Sequence, residues 1–314
     1  MDIPTTMRAA RIHAYGGPEV LTVEEVPVPS LAPGEVLVEV LAASVNGADL
    51  ELRRSGFDGY YEPPRTLGID LCGVVRAVAE DVERLHVGDR VHGRRSSAAR
   101  GTYSTFAAVD ADDLIAVPAG MEDSVAAAVP VVGLAAWHAV VEVGRTAPGD
   151  RVLIHGAGGG VGFLAAQFAR HLGAQVIASD VAEAHAALRD IGVTEVHDFR
   201  TTDVIAAAGT VEVVIDPVGG PVTDASLAAL SEGGRLVSLV AEPDQDTARR
   251  RGVTATMLDS WMDRGHLARI DELLVAGAVT LEVGEVLPLE EAARAHELAE
   301  SGAVRGKIVL DPRR

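Results

Sequence analysis

Apolar and polar residues alternate with a period of two over much of residues 7 to 45, most clearly in EVLVEVLAASV at 35 to 45. Gly and Pro residues interrupt this pattern at short intervals. Such alternation with turn residues between the runs is typical of short strands. Further strand-like runs follow at 72 to 78, 90 to 92 and 103 to 109. The first third of the chain is therefore predicted to be mostly β.

The pattern changes near Pro118. Residues 123 to 143 are rich in alanine and predict a helix, and short runs of branched apolar residues then alternate with amphipathic segments. The alternating segments are predicted strands at 151 to 155, 174 to 180, 211 to 216 and 235 to 239, and predicted helices at 162 to 172, 182 to 191 and 222 to 230. This alternation predicts a parallel sheet covered on both faces, a doubly wound nucleotide-binding architecture.

The last part of the chain has a different character. Residues 284 to 302 predict a strand end followed by a helix, and residues 305 to 312 predict a final strand. These segments could pack against the β-rich first third and make that domain discontinuous. Two domains are also what a length of 314 residues favours, because this is large for a single core.

Composition excludes several classes of function. The formal net charge of −19 disfavours nucleic-acid binding, which needs clustered Lys and Arg. A secretory signal and an apolar run as long as a membrane span are not visible, so a cytoplasmic location is expected. The single cysteine, Cys72, rules out disulfides within the chain and thiolate zinc sites. Because it lies in the apolar run LCGVV, Cys72 is interpreted as a small buried residue rather than a nucleophile.

The segment HGAGGGVG at 155 to 162 carries the clearest chemistry. A glycine-rich turn between a strand and a helix lets the backbone approach a phosphate, and the amides of the first helical turn point at its charge. Ala157 stands where the strict G-x-G-x-x-G pattern has its first glycine, but the strand before the loop and the helix after it support a diphosphate site. The candidate loop residues are Gly156, Gly158, Gly159, Gly160, Val161 and Gly162.

An acidic residue ends the next predicted strand. Asp180 follows Gly162 by close to the ~20 residues at which a carboxylate binds the adenosine ribose in dinucleotide-binding folds. A carboxylate there repels a 2′-phosphate, and residues 179 to 188 contain no Lys or Arg, so NADH is favoured over NADPH on charge. Asp180 could instead cap the next helix. Arg189 and Arg200 could still reach a 2′-phosphate.

These features together resemble a known family. The chain is similar to the medium-chain dehydrogenase/reductases, in the zinc-free quinone oxidoreductase (zeta-crystallin-like) and enoyl reductase branch, over nearly its whole length. The segments that carry the resemblance are MRAARIHAYGGPEVLTVEEVPVP, ASVNGADLELRRSG, GIDLCGVV, AAAVPVVGLAAWHAV, HGAGGGVG, DPVGG, GGRLVSL and PLEEAARAHELAESGAVRGKIVL.

The resemblance implies an α/β fold with a GroES-like β domain plus a Rossmann doubly wound parallel sheet. Residues 1 to 122 and 284 to 314 would form the GroES-like catalytic domain, and residues 123 to 283 the Rossmann domain. It further implies that NAD(P)H delivers hydride to an electron-poor double bond. NADPH is the usual choice of the family, but Phe199 stands where many relatives have a Tyr that contacts the 2′-phosphate.

The resemblance also assigns site residues. The zinc ligands of metal-dependent relatives fall by motif on Asn46, Ile69 and Val131, which do not form a zinc ligand set, so no metal is predicted. Asn46 is a candidate donor to substrate or nicotinamide ribose, or else a turn residue, and Asp49 is a structural acceptor. The other candidates are Tyr60 and Tyr61, as hydrogen-bond or proton donors or as aromatic lining, and Gly219, Ser238 and Val240, whose backbones would hold the nicotinamide end.

The predicted function is zinc-independent, NAD(P)H-dependent reduction of a quinone or an α,β-unsaturated carbonyl compound. The alternatives are a tailoring enoyl reductase acting on a polyketide-like intermediate, and a protein that binds the dinucleotide without turnover. The resemblance implies that GVTATML at 252 to 258 is the segment through which relatives pair the edge strands of two Rossmann sheets, and an exposed apolar edge needs a partner, so a homodimer is expected.

Overall fold

The segments with a period of two form strands in the computed structural model, which describes residues 3–96 and 100–314. The strands of the described residues are β1 (Thr6–Ile12), β2 (Thr22–Pro27), β3 (Glu35–Ser44), β4 (Arg65–Thr66), β5 (Asp70–Val78), β6 (Arg90–Arg94), β7 (Phe106–Asp110), β8 (Leu114–Ala116), β9 (Arg151–His155), β10 (Gln175–Asp180), β11 (Glu195–Asp198), β12 (Val211–Asp216), β13 (Leu230–Ser238), β14 (Thr254–Met257), β15 (Val283–Pro288) and β16 (Lys307–Asp311).

The predicted helices are also present, with shifted ends. Those of the described residues are α1 (Gly47–Arg54), α2 (Gly56–Gly59), α3 (Asp123–Trp137), α4 (Gly160–His171), α5 (His185–Asp190), α6 (Val204–Ala208), α7 (Pro221–Ser226), α8 (Gln245–Arg251), α9 (Arg264–Val275) and α10 (Ala292–Ser301). A π-helical segment, His138–Val143, continues α3, so the helix predicted for 123 to 143 is confirmed. The sequence did not predict α1, α2, α6, α8 or α9.

The chain divides into two units. The first unit comprises Met1–Val131, Met262–Val275 and Leu281–Arg314, and the second comprises Val132–Trp261 and Ala276–Thr280. The start of α3 and the whole of α9 thus belong to the first unit, whereas the sequence placed both in the Rossmann segment, 123 to 283.

Buried contacts explain these boundaries. In α3, Ala126, Ala127 and Ala128 pack in one apolar cluster with Cys72 of β5 and Val309 of β16. Asp271 of α9 lies 2.9 Å from Nε2 of His92 on β6, and both side chains are buried. The other ring nitrogen of His92 is 2.9 Å from the carbonyl oxygen of Ala126. The first unit therefore gains part of its core from α3 and α9.

The first unit is a mostly β structure that uses both ends of the chain. Its larger sheet has the order β15-β16-β3-β5-β6-β8, with β7 also paired to β3, and a smaller sheet has the order β2-β1-β4. The final strand β16 pairs antiparallel with β3 through Val309 and Ser44. The prediction that the last segments return to the β-rich first third is confirmed.

The second unit is a six-stranded sheet with the order β11-β10-β9-β12-β13-β14, in which every pair of neighbours is parallel. This is the doubly wound order. Strand β9 is the first strand, and the order in which the chain adds strands reverses between β9 and β12, which remain parallel to each other. Ligands bind such sheets at the carboxyl ends of the strands beside this reversal. Strand β14 lies at an edge, where Met257 is 45% exposed, and the homodimer remains a prediction.

The longest apolar helix has an ambiguous composition. Among the described residues, the 21-residue helix Asp123–Val143 is long and apolar enough to cross a membrane, which the sequence analysis did not anticipate. However, 72% of its most apolar window is buried inside the protein, as in a core helix.

Candidate dinucleotide-binding and catalytic site

The glycine-rich segment forms the turn between β9 and α4, at the reversal point of the parallel sheet. Gly156 has a left-handed backbone with φ of 53°, and its carbonyl oxygen accepts a hydrogen bond from the amide of Gly159 at 3.1 Å. Gly159 caps α4, which begins at Gly160. The amides at the start of α4, in the candidate residues Gly160, Val161 and Gly162, have no partner within a helix. The loop thus presents backbone donors at a helix N-terminus.

Packing explains three of these glycines. A Cβ atom on Gly162 would lie 2.3 Å from the carbonyl oxygen of Gly156. A Cβ on Gly158 would lie 2.6 Å from the Cβ of Ala184, and one on Gly156 would lie 2.8 Å from Cγ2 of Val218. These positions need glycine so that the loop can close on itself and pack against the turns that contain Ala184 and Val218.

Gly159 is different. Its backbone is extended, and a Cβ there would meet only the carbonyl oxygen of Gly156, at 3.3 Å. Because the protein itself hardly fills this space, the glycine leaves room above the helix N-terminus. A dinucleotide diphosphate fits this cradle, since it needs close backbone approach and amide donors.

Asp180 lies at the end of β10 and faces the loop. Its Oδ2 accepts a hydrogen bond from the amide of Gly158 at 2.6 Å, and its Oδ1 accepts one from the amide of Val181 at 2.7 Å. The following short helical turn has Val181 as its N-cap residue and no side-chain cap. The alternative role of Asp180 as a helix cap therefore receives no support from the hydrogen bonds.

Arg200, the candidate partner for a 2′-phosphate, lies two residues beyond β11. Its Nη2 is 2.7 Å from Oε2 of Glu183, and its Nε is 3.6 Å from Oδ1 of Asp198. The other oxygen of Asp198 accepts a hydrogen bond from the amide of Ala182 at 3.2 Å. Arg200 is thus surrounded by carboxylates, which the sequence analysis did not weigh.

The three remaining cofactor candidates lie at the carboxyl ends of β12 and β13. Gly219 has φ of 78°, and a Cβ there would lie 3.0 Å from the side chain of Val240. The buried Oγ of Ser238 accepts a hydrogen bond from the amide of Ala241 at 3.2 Å. The buried carboxylate of Asp216 fixes the neighbouring turn by accepting bonds from the amides of Val218, at 2.9 Å, and Gly219, at 3.0 Å. The structure therefore brings these candidates together beside the glycine loop.

In the first unit, Asn46 precedes α1 and is only 5% exposed. Its Nδ2 donates to Oδ2 of Asp70 at 3.0 Å, and its Oδ1 accepts from Nζ of Lys307 at 2.6 Å. The backbone amide of Asn46 donates to Oδ2 of Asp49 at 3.0 Å, as expected for a structural acceptor. The Asn46 side chain is therefore held between an anion and a cation inside the unit.

This buried network has unusual electrostatics. Burial raises the pKa of Asp49 to about 6, against the opposing effect of the Asn46 amide. Burial also raises the pKa of Asp70 and lowers that of Lys307, and the two groups partly offset these shifts in each other. Each charge is stabilised mainly by its partners, because water is excluded.

A chain of side chains continues from Asp49 towards the surface. Burial raises the pKa of Tyr103 well above its usual value, and the neighbouring carboxylate of Asp49 raises it further. Nε2 of His296 is 3.4 Å from the Tyr103 hydroxyl, and its Nδ1 is 3.2 Å from Nη1 of Arg53. Since Arg53 can only donate, Nδ1 accepts and Nε2 carries the proton. Burial lowers the pKa of His296 to about 3, so the ring is neutral.

The two candidate tyrosines differ in environment. Tyr60 is 78% exposed, whereas Tyr61 is partly buried against the core of the first unit. The guanidinium of Arg65 lies 5.0 Å from the centre of the Tyr61 ring, and the hydroxyl of Tyr15 donates to the Tyr61 carbonyl oxygen at 3.1 Å. Tyr61 is therefore more buried than Tyr60 and more constrained by its neighbours.

The residues at the zinc-ligand positions of metal-dependent relatives form hydrogen bonds to protein groups here. Asn46 and the backbone amide of Val131 both donate to Asp70, the latter at 3.1 Å, and the Ile69 carbonyl oxygen accepts from the Arg95 amide at 3.0 Å. Within residues 3–96 and 100–314, no three His, Cys, Asp or Glu side chains group as metal ligands. Cys72 is fully buried, and burial raises its pKa to about 12.

Sequence reasoning missed Asp70, Lys307, Asp216 and Glu183. An acidic residue at the end of a predicted strand was the available signal for Asp216, as it was for Asp180. Lys307 offered no local signal, because its contact with Asn46 joins residues at opposite ends of the chain.

Comparison with known proteins agrees with this geometry. Residues 32–119 match the family model of the alcohol dehydrogenase GroES-like domain, and residues 191–310 match that of the zinc-binding dehydrogenases. Quinone oxidoreductase 1 of Escherichia coli is 31% identical over 327 residues, covering 96% of this chain and 98% of the relative. The crystal structure of an Escherichia coli quinone oxidoreductase complexed with NADPH has a TM-score of 0.87 at 29% identity, covering 97% of this chain and 100% of that one.

A second group of relatives is much longer. A mycocerosic acid synthase-like polyketide synthase of Mycobacterium tuberculosis is 34% identical over 300 residues, which is 89% of this chain but only 14% of the synthase. The match to a full-length quinone oxidoreductase, together with both domain models and the α/β fold, establishes the family and the NAD(P)H cofactor. The chain belongs to the medium-chain dehydrogenase/reductases, in the zinc-free group that resembles quinone oxidoreductases.

Proposed function

We propose that this oxidoreductase reduces a quinone or an α,β-unsaturated carbonyl compound without a metal ion. The observation that carries the proposal is the open cradle at Gly159, above the N-terminus of α4, in a chain of this family. When bound, NAD(P)H supplies a hydride from C4 of its nicotinamide ring. The residues of the chain must then bind, orient and supply a proton.

Binding falls to the second unit. The amides of Gly160, Val161 and Gly162 would hold the diphosphate, and Asp180 would accept a hydrogen bond from the adenosine ribose. The turns that contain Gly219 and Val240 would hold the nicotinamide end, with Asp216 and Ser238 fixing their backbones. Precise positioning of this kind is the main source of rate in hydride transfer without a metal.

Proton supply falls to the first unit. Reduction of an enone adds hydride to the β-carbon, which forms an enolate, and one proton to the α-carbon, which gives the saturated carbonyl compound. We propose Tyr61 as the group that donates this proton and then recovers one from water. Asn46 acts as a positioning residue, because Lys307 and Asp70 hold both ends of its amide.

The alternative substrate is an enoyl intermediate of polyketide type. It is favoured by the matches to polyketide synthases, of which the Mycobacterium tuberculosis relative is 34% identical. The two substrate classes share the same chemistry, an electron-poor double bond conjugated to a carbonyl group. A cytoplasmic, homodimeric enzyme is part of the proposal, the latter on the strength of the edge strand β14.

A turnover experiment tests the proposal. The protein is mixed with NADH or NADPH and with a panel of quinones, simple enones and enoyl thioesters, and cofactor oxidation is followed by absorbance. Gly159→Ala is the matched variant: it preserves the fold but places a methyl group in the cradle, so we expect turnover to fall by about tenfold or more. Quenching of Trp261 fluorescence by cofactor, with no turnover on any substrate, would identify a binding protein instead.

The proton donor has its own test. Tyr61→Phe should lower kcat for an enone by about tenfold or more, within the range for general acid catalysis. Quinone reduction should change much less, because a hydroquinone oxygen takes its proton readily from water. Tyr60→Phe is the control, since its hydroxyl is exposed. Equal losses for both substrate classes would show that Tyr61 acts in folding or binding rather than in proton transfer.

A further inference from the structure

Two carboxylates contact one guanidinium at the position where the adenosine ribose would lie, and a third carboxylate lies on the neighbouring strand. Asp180 and Asp198 are paired residues on the neighbouring strands β10 and β11, and Glu183 lies in the turn after β10. Arg200 contacts Glu183 and Asp198, as described above, with 50% of its own side chain exposed and 73% of that of Glu183. With one positive and three negative charges, this corner of the second unit carries a net formal charge of about −2.

We propose that Glu183 and Asp198 make the protein select NADH over NADPH by neutralising Arg200. The inference rests on the proposed dinucleotide site and names the determinant of its cofactor preference. A 2′-phosphate is the only chemical difference between the two cofactors, and it would enter this corner with nearly two negative charges. Arg200 is the cation best placed to receive it, but its charge is already balanced.

The preference for NADH arises from the net charge of this region and does not need a fixed Arg200–Glu183 ion pair. The Arg200–Glu183 pair is exposed, and such pairs are individually weak, so the guanidinium can leave Glu183 at little cost. If it turned to a phosphate, however, Glu183 and Asp198 would face that phosphate without a counter-ion. Asp180 cannot turn away, because the amide of Gly158 and that of Val181 hold its two oxygens.

The other cations near this corner do not alter the balance. His185 lies in the same turn, and its Nε2 contacts the backbone carbonyl oxygen of Asp180 at 3.3 Å. Arg189 lies in the last turn of α5, beyond the residues that contact Arg200. The solved Escherichia coli relative holds NADPH, so the proposal is a departure of this chain from that protein.

The test measures binding, without turnover. Dissociation constants for NADH, NADPH, ADP-ribose and 2′,5′-ADP are determined by calorimetry for the wild type, Glu183→Gln, Asp198→Asn and the pair Glu183→Gln/Arg200→Gln. The wild type should bind NADH at least about tenfold more tightly than NADPH. Glu183→Gln should tighten NADPH and 2′,5′-ADP by about tenfold and leave NADH within about twofold.

The double variant and a matched control make the result specific. Replacing Arg200 in the Glu183→Gln background should abolish the gain for NADPH, because the released guanidinium provides it. Glu232→Gln removes an exposed carboxylate near the start of β13, the strand next to the opposite edge of the same sheet, and should leave the NADPH to NADH ratio unchanged.

Several outcomes overturn the inference. These are a wild type that binds NADPH as tightly as NADH, a Glu183→Gln variant with an unchanged ratio, and a gain that persists without Arg200. A wild type that binds none of NADH, NADPH and ADP-ribose would instead contradict the proposed function. The two failures are therefore distinguishable.

Discussion

The two units treat polar groups in opposite ways. In the first unit, Asn46, Asp49, Asp70 and Lys307 are buried and satisfy one another, so little of their hydrogen-bonding capacity faces outwards. In the second unit, the glycine loop has few side chains, and the amides at the start of α4 have no partner within the helix. The contrast shows that a side chain of the right type in a family motif can serve structure, while bare backbone serves binding.

The largest expected effect comes from breaking the buried network. Lys307→Met removes the cation that contacts Asn46 and leaves Asp70 buried beside it, so we expect a loss of about 3–5 kcal/mol in the free energy of unfolding. Chemical denaturation measures the loss. The double variant Lys307→Met/Asp70→Asn should lose less than the sum of its single changes, because it removes both charges. Strict additivity would show that the two charges do not stabilise each other.

The next effect separates packing from binding within the glycine loop. Gly162→Ala forces a Cβ to within 2.3 Å of a backbone oxygen and should cost about 1–3 kcal/mol of stability as well as NADH affinity. Gly159→Ala should lose affinity with stability changed by less than about 0.5 kcal/mol. Thermal denaturation and calorimetry on both variants provide the comparison. Equal destabilisation by the two changes would contradict the distinction drawn between these glycines.

A third effect depends on pH and is smaller per pH unit. Burial lowers the pKa of His296 to about 3, so the folded protein keeps the ring neutral while the unfolded chain takes up a proton below about pH 6.5. Unfolding therefore binds a proton between these values, and this contribution to stability falls as the pH falls, by up to about 1.4 kcal/mol per pH unit.

The variant His296→Gln should lack this dependence. Asp49 works in the opposite direction over part of the same window, since its raised pKa favours the folded state as the pH falls towards 4. The comparison cancels Asp49, because both proteins retain it. Parallel stability curves for wild type and variant between pH 6.5 and 4 would disprove the role of His296.

Sequence patterns predicted local structure better than long-range contacts. The strand 151 to 155 and the strand 211 to 216 were predicted with the bounds observed, because branched apolar runs and turn residues define them locally. The capping of α1 by Asn46 and Asp49 was not recognised as a helix start, although Asn followed three residues later by an acid is a known signal.

The candidate site shows the same limit. The glycine loop and Asp180 were found because their spacing is fixed by one strand, turn and helix. The partners of Asn46 were not found because β16 pairs with β3 from the far end of the chain. The partner of Arg200 was not found because Glu183 follows β10 whereas Arg200 follows the neighbouring strand β11. Charge counted along the sequence treated Arg200 as available, whereas the fold places two carboxylates against it.

The hydrogen bond between the Gly158 amide and Asp180 has a consequence for how ligands are recognised. A single carboxylate braces the loop that would hold the diphosphate, and in the proposed complex it would also face the sugar that carries the adenine. Adenosine would contact only the carboxylate, and pyrophosphate would contact only the loop that this carboxylate braces. Their separate binding free energies should therefore not sum to that of the intact dinucleotide. Under the proposed function, this carboxylate would favour binding of the whole dinucleotide over binding of its parts.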